Sequence, residues 1–260
     1  MKQIAIVSGK GGTGKTTITS CFAALSKNAV IADCDVDAAD LHIVLGAIKQ
    51  HEHREEFKSG YLAIWDENKC NLCGNCIRVC RFGAISIREK KKKFIKIIPY
   101  LCEGCGCCVD ICPQKALSLT DVVAGEMFVS RTRFGPFVHA KLGISQGNSG
   151  KLVSLVRQKA IEIAKRESKE IIIIDGSPGI GCPVIATLTG VQLAVVVTEA
   201  TLSGLHDLDP IIKLCSHFKI QCLVILNKYD LNNNISSKIE SYCTKTKQKL
   251  LQKFRLTESL

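Results

Sequence analysis

Aromatic residues are scarce, 5% of the 260 in this chain, with a single tryptophan. The 35 lysines and arginines are therefore not interleaved with stacking side chains, and no recognised nucleic-acid module accompanies them. The formal net charge of +11 thus points away from DNA or RNA and toward a basic patch for an acidic protein partner. Long apolar runs are missing too: none reaches the roughly 18 residues of a transmembrane helix, so no membrane partner is expected. The first apolar strand begins at Gln3, before a secretory signal could fit, which makes the cytoplasm the expected location. A hydrophobic content of 46% excludes a disordered chain, and the length allows one sizeable core plus an appendage.

What is present is organised around Gly9-Lys10-Gly11-Gly12-Thr13-Gly14-Lys15-Thr16-Thr17. An apolar run, Ile4 to Val7, precedes this stretch, and a helix-like segment from Ile18 to Ser26 follows it. Glycines at 11, 12 and 14 let backbone N–H groups turn inward around a phosphate, and the helix N-terminus adds the positive end of its dipole. In such a loop Lys15 reaches the β- and γ-phosphates, while the Thr16 hydroxyl ligates Mg²⁺. Gly9, Lys10, Thr13 and Thr17 complete the binding set. With its early lysine, Lys10, the loop resembles the deviant Walker A motif of the MinD/ParA/Mrp/nitrogenase-iron-protein superfamily. That resemblance implies an ATPase that works as an ATP-dependent homodimer, with Lys10 crossing to the partner's nucleotide.

Two further apolar runs end in acids. Ala29 to Asp33 reads as a buried strand followed by Cys34-Asp35-Val36-Asp37, and Ile171 to Asp175 as another followed by Gly176-Ser177-Pro178-Gly179. Ligands of open α/β sheets sit at the carboxyl ends of strands, where these acids emerge. A solvated acidic loop is the plainer reading of Asp33 to Asp37. The resemblance makes Asp35 part of switch I, near the attacking water and Mg²⁺. It makes Asp175 the Walker B acid that holds the Mg²⁺ shell, and Gly179 the switch II glycine that senses the γ-phosphate. A later strand, Cys222 to Leu226, closes on Asn227-Lys228-Tyr229-Asp230. N-K-x-D reads guanine in many GTPases, but an asparagine here contacts adenine in the resembled family, so Asn227 favours ATP with GTP left open.

Cysteine is anything but scarce, at fifteen residues. In a small secreted protein that number would mean disulfides; beside a phosphate-binding loop it means metal. Cys70, Cys73, Cys76 and Cys80 follow C-x2-C-x2-C-x3-C, and Cys102, Cys105, Cys108 and Cys112 repeat it with matching flanks. An internal repeat of this kind is the signature of a bacterial-type ferredoxin with two 4Fe–4S clusters. Because the fourth cysteine crosses over, Cys70, Cys73, Cys76 and Cys112 should bind one cluster, and Cys102, Cys105, Cys108 and Cys80 the other. The rival, zinc, suits the C-x2-C pairs but not four ligands at these spacings twice over. Bound as two oxidised clusters, the eight thiolates would contribute roughly −4 to the net charge. Cys80 is followed by Arg81 rather than proline, Cys107 reads as a bystander, and the run Lys90 to Lys93 as a solvated turn. Cys182 reads as a buried thiol, although a cysteine at its spacing from Asp175 helps bind a shared cluster in nitrogenase iron proteins. Cys21, Cys34, Cys215, Cys222 and Cys243 read as small core residues.

The expected fold is α/β: a mostly parallel sheet P-loop NTPase domain, residues 1–59 and 121–260, with an inserted ferredoxin-like α+β domain at 60–120. Gly125 to Leu142 looks strand-like, and Leu152, Leu155, Val156, Ala160, Ile163 and Ala164 mark the inner stripe of a helix. Relatives usually continue past the Asn227 loop with another strand and an adenine loop. The stretch from Tyr242 lacks that pattern, so a shortened packing helix or a frayed end is expected there, with Leu250, Leu251, Phe254 and Leu256 as a less favoured amphipathic membrane helix. The function this implies is coupling of ATP binding and hydrolysis to electron transfer through two clusters, with a redox or iron–sulfur client protein as partner. The alternatives are an iron–sulfur carrier resembling Mrp and a positioning ATPase like MinD or ParA.

Overall fold

The structure, a computed structural model, describes residues 1–46, 51–89, 92–143, 147 and 149–256. Lys90 and Lys91 of the lysine run lie outside the described residues. The chain divides into two compact units, Met1–Glu55 with Glu126–Leu142 and Asn148–Leu260, and Glu56–Gly125 with Gly143–Gly147.

In the first unit, β1 (Lys2–Ser8), β2 (Ala29–Asp33), β8 (Ile171–Pro178), β9 (Leu193–Glu199) and β10 (Gln221–Asn227) pair in parallel. These runs are rich in Ile and Val, which suit a pleated surface covered on both faces. Ile6, Ile31, Ile173 and Val195 are fully buried there, each contributing about 1.5–3 kcal/mol. With β3 (His51–Trp65), β6 (Leu117–Thr132), β7 (Gly135–Leu142) and β11 (Lys249–Lys253), the sheet order is β11-β10-β9-β1-β8-β2-β7-β6-β3. From β1 the chain moves past β8 to β2, and from β8 it moves past β1 to β9. The direction of winding therefore reverses beside β1, the switch point where open α/β sheets bind ligands. Helices α1 (Lys15–Leu25), α5 (Ser149–Arg166), α6 (Cys182–Leu188), α7 (Leu202–His217) and α8 (Asn233–Lys245) form the connections, and the short α2 (Leu41–Val44) follows β2.

Several expectations are corrected. The strand-like stretch from Gly125 is the end of a longer hairpin, β6 (Leu117–Thr132) and β7 (Gly135–Leu142), turned by Arg133 and Phe134. The long strand β3 (His51–Trp65) was not foreseen; its first six residues are all charged or histidine and all exposed. The division between the two units falls within β3 and β6. In the C-terminal stretch Tyr242 to Lys245 finish α8, and Lys249–Lys253 form a strand that was not expected, β11, which pairs in parallel with β10 at the edge of the sheet. In α5 the inner stripe is Leu152, Val153, Val156, Arg157, Ala160, Ile163 and Ala164, with Leu155 turned outward. Cys21 is exposed rather than core, because α1 buries the face of Lys15, Ile18, Thr19 and Ala23.

The second unit contains α3 (Asn75–Val79), α4 (Cys107–Asp110) and an antiparallel pair, β4 (Ile85–Glu89) and β5 (Lys93–Ile97). Its core gathers Ala63, Cys76, Ala84, Ile85, Ile95, Cys108 and Leu117. Cysteine is thus part of the packing here.

One buried group in the first unit makes stability sensitive to acid. His139 on β7 stacks on Phe137 and Phe128, at centroid distances of 4.6 and 5.1 Å, and its Nε2 lies 3.3 Å from Ser130 Oγ. Burial, then the neighbouring His51 and His42, lowers its pKa to about 4. A histidine depressed in the folded state contributes stability above its unfolded pKa and loses it as pH falls toward the folded one. The urea unfolding free energy should therefore be about 2 kcal/mol lower at pH 5 than at pH 7. His139→Gln should flatten that dependence; an unchanged slope would show that His139 is not its source.

Candidate functional site

The phosphate loop leaves the end of β1 at the switch point. Gly14 sits at φ +90° as the residue before α1, and a Cβ there would come within 2.3 Å of Asn227 Nδ2. Both the backbone angle and the close approach require glycine. Asn227 Nδ2 donates to the Thr13 carbonyl at 2.8 Å, and Lys228 Nζ donates to the Gly12 carbonyl at 3.0 Å. The loop is thus braced from the end of β10. Within it the Thr13 hydroxyl is buried with no hydrogen-bond partner, a polar atom that suits a ligand held by the loop.

Asp33 and Asp175 lie opposite each other in the β2–β8 register, Asp33 as the last residue of β2 and Asp175 in the carboxyl-terminal half of β8. Asp175 receives three donors, all from the start of α1: Lys15 Nζ at 3.1 Å, Thr16 Oγ1 at 2.9 Å and Thr19 Oγ1 at 2.8 Å. Lys15 also pairs with Asp35 at 3.2 Å. Burial pulls the Lys15 ammonium down, but Asp175 and Asp35 outweigh it and raise its pKa. Asp35 is raised mainly by burial. Asp33 is raised well above the carboxylate range by burial and the charge of Asp175, and it accepts from the backbone N–H groups of Asp35 (3.0 Å) and Leu41 (3.3 Å). This acid therefore shapes the loop that carries Asp35. Gly179, at φ +90°, donates its N–H to the Ser8 carbonyl at 2.9 Å, which ties the D-x-x-P-G segment to the start of the phosphate loop.

Lys10 lies inside its own chain. Its Nζ is 2.7 Å from Glu199 Oε1, 2.7 Å from Ser203 Oγ and 3.2 Å from Thr201 Oγ1. Lys228 holds the other Glu199 oxygen at 3.1 Å. Burial would raise the Glu199 carboxyl, but the hydrogen bonds from Lys10 and Lys228 win and hold it below the ordinary glutamate value. Glu199, Lys228 and Thr19 were not singled out as site residues from the sequence. Lys228 alone carried a signal, as the second position of N-K-x-D.

In the second unit the eight cysteines divide four and four. Cys70, Cys73, Cys76 and Cys112 line one hollow with Trp65, Leu72 and Ile95. Cys80, Cys102, Cys105 and Cys108 line another with Phe82, Ala84 and Leu119. The fourth cysteine of each half-repeat thus stands with the first three of the other. Gly74 (φ 79°) and Gly106 (φ 82°) turn the chain between the closely spaced cysteines. Backbone N–H groups of Leu72 and Ala116 point at Cys70 Sγ (3.4 Å) and Cys112 Sγ (3.2 Å). Burial raises the Cys76 thiol and pushes Cys108 up to about 11. Among the described residues no three His, Cys, Asp or Glu side chains close on one metal-ion position; each cysteine set rings a space. Cys107, exposed, stands at the rim of the second hollow. Cys182, expected as a buried thiol, is instead exposed at the first position of α6.

Comparison with known proteins agrees with the first unit's architecture. The chain is 36% identical to the uncharacterized protein MJ0578 of Methanocaldococcus jannaschii over 235 residues, 89% of this chain and 79% of that one. It is 27% identical to MJ0579 of the same organism over 237 residues, 90% of this chain and 82% of the relative. Among solved structures, the MinD cell division protein of Aquifex aeolicus superposes with a TM-score of 0.52 at 17% identity, covering 99% of this chain and 84% of that one. At that identity the likeness is one of fold. Residues 4–260 match the CobQ/CobB/MinD/ParA nucleotide binding domain, CbiA. With strand, phosphate loop and paired acids all meeting at one switch point, the chain belongs to the CobQ/CobB/MinD/ParA family of P-loop nucleotide-binding proteins.

Proposed function

We propose that this protein binds and hydrolyses ATP with Mg²⁺ as a homodimer and couples its nucleotide state to electron transfer by two 4Fe–4S clusters. The observation that carries the reading is the division of the eight cysteines, four around each hollow, with Cys112 and Cys80 exchanged between the half-repeats. The donor set fits the group: four thiols stand around each hollow, and N–H groups face Cys70 and Cys112, as suits the sulfurs of a reduced cluster. The clusters would supply one-electron redox capacity. Around them Trp65, Leu72, Ile95 and Leu117 on one side, and Ala63, Phe82, Ala84 and Leu119 on the other, limit water's access.

In the nucleotide site Lys15 would take the β- and γ-phosphates, Thr16 and Asp175 would hold Mg²⁺, and Asp35 would orient the attacking water. Each already touches another of the set, so nucleotide exchanges partners rather than assembling the site. The segment containing all eight cysteines is joined in sequence to β3 on one side and to β6 on the other, and so lies between the strand that ends at Asp33 and the strand that carries Asp175. The turn at Gly179 is the second element whose state follows the γ-phosphate.

The test is anaerobic. Protein purified without oxygen should carry about eight irons and eight sulfides per chain, and EPR-monitored reduction should differ between MgATP and MgADP. Iron below one per chain after reconstitution would end the iron–sulfur reading. A full complement whose spectra and potentials ignore bound nucleotide would end the coupling.

A second reading, an iron–sulfur carrier, is favoured by one observation, the exposure of Cys182 beside the D-x-x-P-G segment. Cys182→Ser should then abolish cluster donation to an apo-ferredoxin while leaving the resident iron in place. A positioning ATPase accounts for the phosphate loop but leaves eight cysteines without a use.

A further inference from the structure

An ammonium has three N–H donors, and those of Lys10 are all engaged within the same chain: Glu199, Ser203 and Thr201. The same lysine is the one that must leave its chain for the dimer described above. Its main partner, Glu199, is 8% exposed, so the pair is partly desolvated and stronger than a surface ion pair. Glu199 also has a second cation. Lys228 holds its other oxygen and, through the Gly12 carbonyl, the phosphate loop itself. If Lys10 departs, the carboxylate keeps a partner and a fixed position, and the parked state re-forms without rearrangement.

We propose that Glu199 parks Lys10 in its own subunit, and that dimer closure is an exchange in which a phosphate oxygen of the nucleotide replaces this carboxylate as the partner of Lys10. The inference rests on the ATP-dependent dimer proposed above. A ligand shifts a two-state equilibrium only by its difference in affinity for the two states. Here the difference is a competition of two anions for one cation. MgATP brings the higher charge and wins; after loss of the γ-phosphate, Glu199 reclaims the lysine. Glu199 is a positioning residue in this scheme, since it acts on the nucleotide through Lys10.

The experiment measures the MgATP concentration that half-converts the full-length holoprotein to dimer, by sedimentation velocity, alongside MgADP affinity of the monomer. Glu199→Gln keeps the shape and removes the charge. It should lower the MgATP requirement about tenfold, the equivalent of one charge-assisted hydrogen bond. MgADP affinity should stay within about twofold, because Asn227 and Lys228 still brace the loop. Glu199→Asp, which keeps the charge, should behave nearly as the natural protein. In a Lys10→Ala background Glu199→Gln should change nothing.

A Glu199→Gln protein that dimerises at the natural threshold overturns the proposal. So does one that loses MgADP binding, since Glu199 would then be a strut of the loop. If the natural protein stays monomeric in MgATP, the dimer reading fails; dimerisation of Glu199→Gln alone would still support the parking role, and a monomer in both would overturn the two together.

Discussion

Serine in place of Cys112 should remove about half of the iron, and serine in place of Cys73 as well should remove no more. The reason lies in the exchange between half-repeats. Cys112 follows the second set of closely spaced cysteines in sequence but lines the hollow of Cys70, Cys73 and Cys76. On the two-cluster proposal, two substitutions around one hollow should disable one cluster. Cys73→Ser combined with Cys105→Ser touches both hollows and should leave almost no iron. If ligation followed sequence order, Cys112→Ser with Cys73→Ser would strip both clusters as well, so this pair discriminates and the Cys73/Cys105 pair serves as the control. Iron and sulfide content per chain, with the EPR signal of the surviving cluster, separates the two cases. Because Cys76 and Cys108 also belong to the hydrophobic core of this unit, serine there carries a packing cost as well. Cys73 and Cys105 are exposed, and Cys112 is not among the buried core residues, which makes these the cleaner positions.

Lys15→Ala should show the second large effect, and it should show it twice. Hydrolysis of MgATP should fall by about a hundredfold or more, as when a preorganised cationic donor is removed from a transition state. Stability without nucleotide should fall by about 3–5 kcal/mol, because two buried carboxylates lose their common cation. Asp175 is 1% exposed and Asp35 9%. The sign of the pH effect follows from the raised Lys15 pKa: its stabilising contribution is complete below the unfolded lysine value and is lost only as pH rises through the folded one. Near neutrality the natural protein therefore draws on the full interaction. Lys15→Ala with Asp175→Asn should recover part of the stability and none of the hydrolysis. Urea midpoints without nucleotide and phosphate release with MgATP check the two halves; a Lys15→Ala protein as stable as the natural one would mean that the acids find other partners.

The parallel sheet could be read in advance because its strands are buried on both faces and are therefore nearly pure Ile, Val and Ala. The same holds for the place where Lys15, Thr16, Asp35 and Asp175 meet, since all four follow the carboxyl ends of such strands. The grouping of the cysteines followed from the spacing of a repeat. The unread parts have a common cause. β3 begins His51-Glu52-His53-Arg54-Glu55-Glu56, six exposed polar residues whose strand state is set by pairing with β6 and leaves no apolar alternation. β11 is five residues long, with lysine at both ends, and only Leu250 and Leu251 hint at a strand. Glu199 ends an apolar run much as Asp33 and Asp175 do, yet its meaning depends on Lys10 and Lys228, 189 and 29 positions away, which no local pattern connects.

The last strand has a consequence for how the protein behaves when concentrated. An outer strand with free backbone groups is a template on which another chain can add, and long apolar outer strands seed fibrils. This sheet ends at β11, a five-residue strand fringed by Lys247, Lys249 and Lys253. A second molecule approaching along that rim would have to bring its own lysines against these. Growth of the sheet from molecule to molecule is thereby discouraged on this side, and colloidal stability there should weaken in high salt, where the repulsion is screened.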